Sequence, residues 1–221
     1  MKFEEREHVP LVGELALRAR AKGTQGKVSV PLLVDDEGQS VQGSLAIGEW
    51  VDARGKKQKK LFPEGARERI VALYDVLEDP LSAARERFVR DLATDRDAQL
   101  ESLPPALRAL PFATLSARVG AAFVANKYNA RSGAVDDRIR NGLRAVREAL
   151  GGKKYVLDDF SFADVVGTSI VHAIHPIDDA YLDFPPATRK LWEHPKLLKE
   201  FPDLVEWRDE IYAKHRPKPT R

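Results

Sequence analysis

The chain of 221 residues contains no cysteine. Without thiols it can form no disulfide bond, no thiolate metal site and no cysteine nucleophile. The short motifs of phosphate loops, dinucleotide-binding turns and helical zinc proteases are also absent from the sequence, which removes the mechanisms those motifs carry. With no disulfide to indicate an oxidising compartment, a cytoplasmic location is the default expectation.

Long apolar runs are missing as well. No stretch approaches the roughly 20 residues that a membrane-spanning helix needs, and residues 1–7 are not followed by the apolar segment of a signal peptide. The 36 basic and 34 acidic residues are intermixed and leave a net charge of +2, so that no polyanionic partner is indicated. Four lysines in Lys56–Lys60 are typical of a solvated connector. We therefore expect neither a nucleic acid nor a membrane as a partner.

What the first part of the chain does contain is a β pattern. Pro31 interrupts a run of β-forming residues, and proline is normally excluded from a central strand because it has no N–H to donate. At the first residues of a strand, and with a cis Val30–Pro31 bond, proline instead frees backbone groups for a ligand. The predicted elements are an exposed strand Phe3–Pro10, a helix Gly13–Lys22, strands Val28–Val34 and Gln39–Gln42, and a helix Leu45–Arg54 with Ser44 as its N-cap.

From Arg67 onward the apolar residues recur at three- and four-residue spacing, which predicts at least five helices. Three stripes stand out: Ile70, Leu73, Tyr74, Leu77, Leu81, Ala84, Phe88 and Leu92, with a kink at Pro80; Leu115, Val119, Ala122 and Phe123, with Tyr128 nearby; and Val135, Ile139, Leu143, Val146 and Leu150. With a linker around residues 56–65, the pattern predicts one domain over 1–62 and an all-helical domain over 63–221.

The segment from Tyr155 to Val165 predicts the start of a helix. Ser161 and Asp164 have the spacing of a capping box, in which Ser161 satisfies an N–H of the first turn and Asp164 reaches back to the Ser161 N–H. Phe160 before the cap and Val165 inside the helix suit a hydrophobic staple. We therefore predict a structural role for Ser161 and Asp164.

Two of these motifs, in this order, resemble the glutathione S-transferase family: Val30-Pro31-Leu32-Leu33 followed by Ser44-Leu45-Ala46-Ile47, and the capping box with its preceding Tyr-Val-Leu segment. The resemblance implies an α+β two-domain protein, with an incomplete thioredoxin-like first domain and an all-helical second one. It implies that the Val30 backbone at the cis Pro31 meets the cysteinyl part of glutathione, and that Ser44 holds the γ-glutamyl carboxylate. Lys27 and Gln42 are further options for binding glutathione.

The chain departs from the family at the thiol activator. Phe3–Pro10 resembles the family's second strand, so the first strand and helix, which carry the activating residue, have no counterpart here. Three explanations stay open: an internal start of the given chain, a degenerate member that binds without catalysis, or replacement by a residue of the helical domain. The nominal replacements are Tyr128, Tyr155, His172 and His175. Gly43 also stands where the family usually has an acidic residue or glutamine.

The function expected from the resemblance is the conjugation of glutathione to a small hydrophobic electrophile by a homodimer, with glutathione as a substrate and no metal. The alternative is a non-catalytic binding or scaffold protein of the same architecture. His172 and His175 have a spacing that can place two imidazoles on one helix face as metal ligands, but Pro176 follows at once and no acidic third ligand matches that spacing. We expect ordinary polar residues at a helix C-terminus there. Phe3–Pro10 is expected to pair directly with Val28–Val34 in a three-stranded sheet.

Overall fold

A computed structural model describes residues 4, 6, 13–21, 28–55, 60–103, 108–127 and 134–216, without the side chains of residues 14 and 124–127. Most of these residues are helical and the rest include a small antiparallel sheet, so the fold is α+β. The chain divides into two compact units, Met1–Glu68 and Arg69–Arg221. The division lies C-terminal to the boundary expected at residue 62. No helix among the described residues is both long enough and apolar enough to cross a membrane.

The first unit contains a β-hairpin between two helices. Its elements are helix α1 (Glu14–Arg20), strand β1 (Leu32–Val34), strand β2 (Ser40–Gln42) and helix α2 (Ser44–Arg54). The strands pair with Leu32 opposite Gln42 and Val34 opposite Ser40. Strand β1 is shorter than the predicted strand Val28–Val34, since residues 28–31 are not part of the ladder. The predicted strand Phe3–Pro10, and with it the three-stranded sheet, lies outside the described residues apart from positions 4 and 6.

The end of the expected linker is attached to helix α2. Asp52 accepts hydrogen bonds from the backbone N–H of Leu61 (2.6 Å) and of Phe62 (3.4 Å), and its carbonyl oxygen accepts one from Lys60 Nζ (2.7 Å). These bonds satisfy backbone groups that would otherwise depend on water. Residues 60–62 therefore belong to the first unit, whereas Lys56–Lys59 lie outside the described residues.

Among the described residues of the second unit, all regular structure is helical. Its helices are α3 (Arg67–Leu92, which begins just before the unit boundary), α4 (Arg96–Glu101), α5 (Ala113–Lys127), α6 (Val135–Leu150), α7 (Phe162–Val171), α8 (Pro186–Trp192), α9 (Pro195–Glu200) and α10 (Pro202–His215). Helix α3 continues through Pro80.

Two glycines lie at close contacts between helices of this unit. A Cβ atom on Gly142 of α6 would lie 2.5 Å from Pro80 Cβ on α3, and one on Gly167 of α7 would lie 3.0 Å from Trp207 on α10. Around these contacts the core consists of aliphatic side chains that are almost completely excluded from solvent: Ile70, Leu77, Ile139, Leu143, Val146, Ile170, Ile174, Ile177, Leu197 and Leu204.

The start of helix α7 carries the reciprocal capping box formed by Ser161 and Asp164. Both residues are fully buried. Asp164 accepts from the backbone N–H of Ser161 and of Val156, each at 2.9 Å, and from the Ser161 hydroxyl at 3.1 Å. Burial raises the pKa of the Asp164 carboxyl, while these hydrogen bonds act in the opposite direction. The pair thus joins the segment before α7 to the first turn of that helix.

The second apolar stripe is oriented differently from the other two. Leu115, Val119 and Phe123 project to solvent from α5, whereas Ala113 and Ala117 on the same helix are buried. The predicted stripe is present on this helix, and its large residues lie on the solvent side. The inward contact comes from Ala121, which packs with Leu92 and Ala98, and small alanines allow the backbones to lie close together.

Candidate functional site

The hairpin of the first unit is closed by the side chain of Asp35. Its Oδ1 accepts from the backbone N–H of Glu37 (3.0 Å) and of Gln39 (2.8 Å), which is an Asx-type turn. Gly38 completes the turn with φ of +81°, a conformation that favours glycine. The turn fixes the register of β1 and β2, and so it fixes where Pro31 and Gly43 meet at the other end of the hairpin.

Two hydrogen bonds bring residues 29–31 beside residues 42–43. The Gly43 N–H donates to the Pro31 carbonyl oxygen at 3.0 Å, and the Ser29 N–H donates to Gln42 Oε1 at 3.0 Å. The Val30–Pro31 peptide bond is cis, and Val30 is 52% exposed. The backbone before Pro31 therefore lies at the surface, next to the start of helix α2.

Helix α2 begins without a side-chain cap. Its N-cap is Gly43, with φ of 89° and ψ of 144°, and Ser44 is the exposed first residue of the helix. The prediction of Ser44 as the N-cap is therefore wrong by one position: Gly43 adopts the backbone conformation that glycine tolerates best. No acidic residue stands in the first turn. Because helix N-termini carry N–H groups without partners and a positive partial charge, this end favours a carboxylate or another anion.

The predicted glutathione-binding residues lie in this unit, and all but Lys27 are among the described residues. Val30, Pro31, Gln42 and Ser44 belong to one small surface, since the two hydrogen bonds above join their segments. Gln42 uses its side-chain oxygen to hold the Ser29 N–H, so it orders the loop before Pro31. Lys27 lies outside the described residues.

The nominal replacements for a thiol activator lie in the second unit. Tyr155 is buried, and its hydroxyl oxygen receives a hydrogen bond from Lys214 Nζ (2.8 Å) and lies 3.0 Å from His215 Nε2. His215 in turn stacks on Phe160 with a centroid distance of 3.9 Å. These contacts join the C-terminal turn of α10 to the segment before α7. Tyr128 lies outside the described residues.

His172 and His175 follow the end of helix α7. The helix ends at Val171 with His172 as its C-cap, and the His175 N–H still donates to the Val171 carbonyl oxygen at 3.2 Å. His172 Nε2 lies 2.9 Å from the Tyr212 hydroxyl, and burial, aided by Arg208 and Arg216, lowers the pKa of His172 to about 3. Within the described ranges, no three His, Asp or Glu side chains gather as ligands for a metal ion would.

A polar cavity of about 320 Å³ lies beside His175, and its walls include Arg189, Arg208, Asp178 and Asp209. Arg208 donates to the His175 carbonyl oxygen, and Arg189 donates to the Ile177 carbonyl oxygen at 2.7 Å. Both arginines thus serve carbonyl groups that follow helix α7. Their positive charge is balanced there by aspartates, since Arg189 pairs with Asp179 and Arg208 pairs with Asp209. These contacts give Arg189 and Arg208 a structural role.

The surface formed by residues 29–31 and 42–44 thus combines an exposed backbone edge with an anion-favouring helix end. No family model matches the chain, and searches of the curated proteins and of the solved structures likewise return no match.

Proposed function

We propose that the chain is a glutathione S-transferase-like protein that binds glutathione at the surface formed by residues 29–31 and 42–44. In this proposal the first unit is a thioredoxin-like domain and the second a transferase-type helical domain. The observation that carries the proposal is the hydrogen bond from the Gly43 N–H to the Pro31 carbonyl oxygen. It holds a helix end suited to a carboxylate beside a backbone edge suited to a peptide.

Glutathione has the chemistry that this surface would recognise. Its γ-glutamyl carboxylate would accept hydrogen bonds from the Ser44 hydroxyl and from the N–H groups of the first turn of α2. Its cysteinyl backbone would lie along Val30, in the manner of a short added strand. In conjugation, the thiol of glutathione would lose its proton to water, and the thiolate would form a C–S bond with the electrophilic carbon while the leaving group departs with the electrons of its bond to that carbon.

A non-catalytic binding protein is the second candidate, and Gly43 favours it. A glycine offers no side chain to the ammonium group of the γ-glutamyl moiety, and the neighbouring Gln42 oxygen already accepts from the Ser29 N–H. The ligand would then be held mainly through its carboxylate and its backbone. The two candidates share the same site and differ in turnover.

Calorimetric titration with glutathione tests the site. Ser44→Ala removes one hydrogen bond to a charged group, and we expect roughly tenfold weaker binding. Ser169→Ala is the matched control, since Ser169 is also an exposed helical serine but lies in α7 of the second unit, and it should bind like the unaltered chain. Absence of heat at millimolar glutathione would overturn the proposal, and equal binding by Ser44→Ala would show that the site is wrong.

Turnover is measured separately, with an activated aryl chloride as the electrophile. Conjugation above the rate of glutathione in buffer, lowered in Ser44→Ala, would support the transferase. Binding without any acceleration would support the non-catalytic candidate.

A further inference from the structure

The outward side of helix α5 is strongly apolar. Leu115, Val119 and Phe123 are 65%, 60% and 53% exposed, and Phe112 just before the helix is 58% exposed. Their spacing of three and four residues places all four on one side of the helix. We call this row the α5 face. It presents on the order of 400 Å² of apolar surface, a size typical of interaction surfaces.

The side chains of the α5 face protrude from the protein. Each of them is more than half exposed, whereas apolar side chains that line a binding groove are largely covered by its walls. A protruding row offers no concave site to a ligand of defined shape. It suits a fluid acyl layer, because lipid chains close around any apolar side chain that enters them.

Basic residues accompany the α5 face, and acidic residues do not. Residues 102–135 contain four basic residues and no acidic one, although 34 of the 221 residues of the chain are acidic. The expectation that no membrane is a partner rested on the net charge of the whole chain, which averages over this segment. The local excess of positive charge favours a partner that is anionic as well as apolar.

Two of these basic residues belong to helix α5 itself. With about 100° of rotation per residue, Arg118 and Lys127 occupy positions at opposite borders of the α5 face, and Arg118 is exposed. A basic side chain at such a border can lay its apolar stem along the acyl layer while its charged group reaches the lipid phosphates. An apolar face with basic borders is typical of helices that lie in the plane of a membrane surface.

We propose that the α5 face is a reversible attachment surface for membranes that contain anionic lipid. Its four apolar side chains enter the boundary between headgroups and acyl chains, and Arg118 binds lipid phosphate. The helix lies parallel to the bilayer and does not cross it. Both contributions are needed, because a small apolar contact or a few charges alone give only marginal binding. The proposal is independent of glutathione binding, so that either can fail without the other.

Co-sedimentation with lipid vesicles measures the attachment. We expect half-maximal binding of the unaltered chain at roughly 0.1–1 mM accessible lipid, on vesicles of phosphatidylcholine with about 30% phosphatidylserine. Binding to pure phosphatidylcholine should be at least about tenfold weaker, since the basic residues then lose their partners. Salt should lower binding to the anionic vesicles because it screens the charges.

Two substitutions separate the apolar and the basic contributions. Val119→Glu places a carboxylate at the centre of the α5 face and should weaken binding to the anionic vesicles at least about tenfold. Val76→Glu is the matched control, because Val76 is a similarly exposed valine, at 54%, on helix α3 of the same unit. Arg118→Gln should weaken this binding about fivefold, whereas Arg144→Gln, which alters an exposed arginine of α6, should not change it.

The absence of cysteine allows a readout of position. Val119→Cys and Val76→Cys each introduce a single thiol, to which a polarity-sensitive fluorophore is attached. On the anionic vesicles we expect the emission of the label at position 119 to shift to the blue and to rise several-fold, and that of the label at position 76 to stay unchanged. Thermal unfolding of each variant checks that it remains folded.

Three results would overturn the proposal. They are no binding of the unaltered chain at about 5 mM anionic lipid, binding that Val119→Glu leaves intact, and an equal response from the two labels. Light scattering over a concentration series completes the experiment. Dimer formation that Val119→Glu abolishes, in a chain that does not bind vesicles, would assign the α5 face to a second copy instead.

Discussion

Helices α5 and α6 follow one another in the second unit and have similar lengths, 15 and 16 residues, yet they orient their large apolar residues in opposite directions. In α6, Ile139, Leu143 and Val146 are completely buried, and the polar residues face outward. In α5, alanines face the interior and the large residues face solvent. The two helices therefore share the same spacing of large apolar residues, but these residues lie in the core in α6 and face solvent in α5.

The charges of the two helices differ in the same sense. Arg140 and Arg147 of α6 bond to Glu200 at 2.8 Å and to Asp203 at 2.9 Å, and Arg138 reaches α3. Helix α5 contains two charged residues, Arg118 and Lys127, and no acidic one. Ion pairs cover the outer face of α6, whereas leucine, valine and phenylalanine on the outer face of α5 leave apolar area in water.

The largest expected effect concerns one leucine on each helix. Leu143→Ala in α6 leaves a cavity in the core, and we expect a loss of about 2–5 kcal/mol in the free energy of unfolding. Leu115→Ala in α5 removes a side chain that is largely in water already, and it should change that free energy by less than about 0.5 kcal/mol. Urea denaturation of the two variants and of the unaltered chain measures both changes. Equal losses would show that α5 packs against the unit through its large residues.

Substitution of one glycine on each helix should change the stability of the protein in opposite directions. Gly142→Ala in α6 drives a Cβ to within 2.5 Å of Pro80 Cβ, and we expect a loss of about 1–3 kcal/mol. Gly120→Ala in α5 meets no atom within 4 Å, and it should stabilise the protein by about 0.5–1 kcal/mol because alanine forms helix better than glycine. Thermal unfolding of the two variants should move in opposite directions. A destabilising Gly120→Ala would reveal a close neighbour on that side of α5.

The contrast between α5 and α6 also shows what the sequence predicts and what it leaves open. Apolar periodicity predicted both helices, because spacing alone determines that a stripe exists. It did not predict which side of α5 is buried, since alanines at positions 113, 117 and 121 form an equally regular stripe with a weaker hydrophobic signal. The capping box at Ser161 and Asp164 was readable because both partners lie within one helical turn.

Contacts between distant segments had no such signal. Arg87 is buried and donates to the carbonyl oxygens of Ala173, Leu191, Trp192 and Glu193, although nothing around Arg87 in the sequence distinguishes it from a surface arginine. Tyr155 and Lys214 are brought together across the fold in the same way. In the first unit the hairpin and α2 could be predicted from turn and helix signals. That the N-cap is Gly43 and not Ser44 depends on backbone dihedral angles, which the sequence does not give.

The smallest expected effect compares an arginine on each helix. Arg138 of α6 binds Asp79 and Glu86 on α3, with its closest contacts at 2.6 and 2.9 Å. Arg138→Gln should cost about 1 kcal/mol at pH 7, since Asp79 is largely exposed and solvent weakens its share. Arg118→Gln in α5 should change the free energy of unfolding by no more than a few tenths of a kcal/mol.

The pH dependence identifies the ion pair as the cause. The hydrogen bond from Arg138 lowers the pKa of the Asp79 carboxyl, so in the folded protein that carboxyl keeps its charge at a lower pH than in the unfolded chain. Its contribution is therefore complete above the ordinary aspartate pKa of about 3.9 and is lost as the pH falls below it. We expect the stability difference between the unaltered chain and Arg138→Gln to shrink below about pH 4, and the pKa of Asp79, followed by NMR, to rise in the variant. A difference that stays constant with pH would mean that Arg138 acts through packing, and α6 would then resemble α5 more closely in its electrostatics.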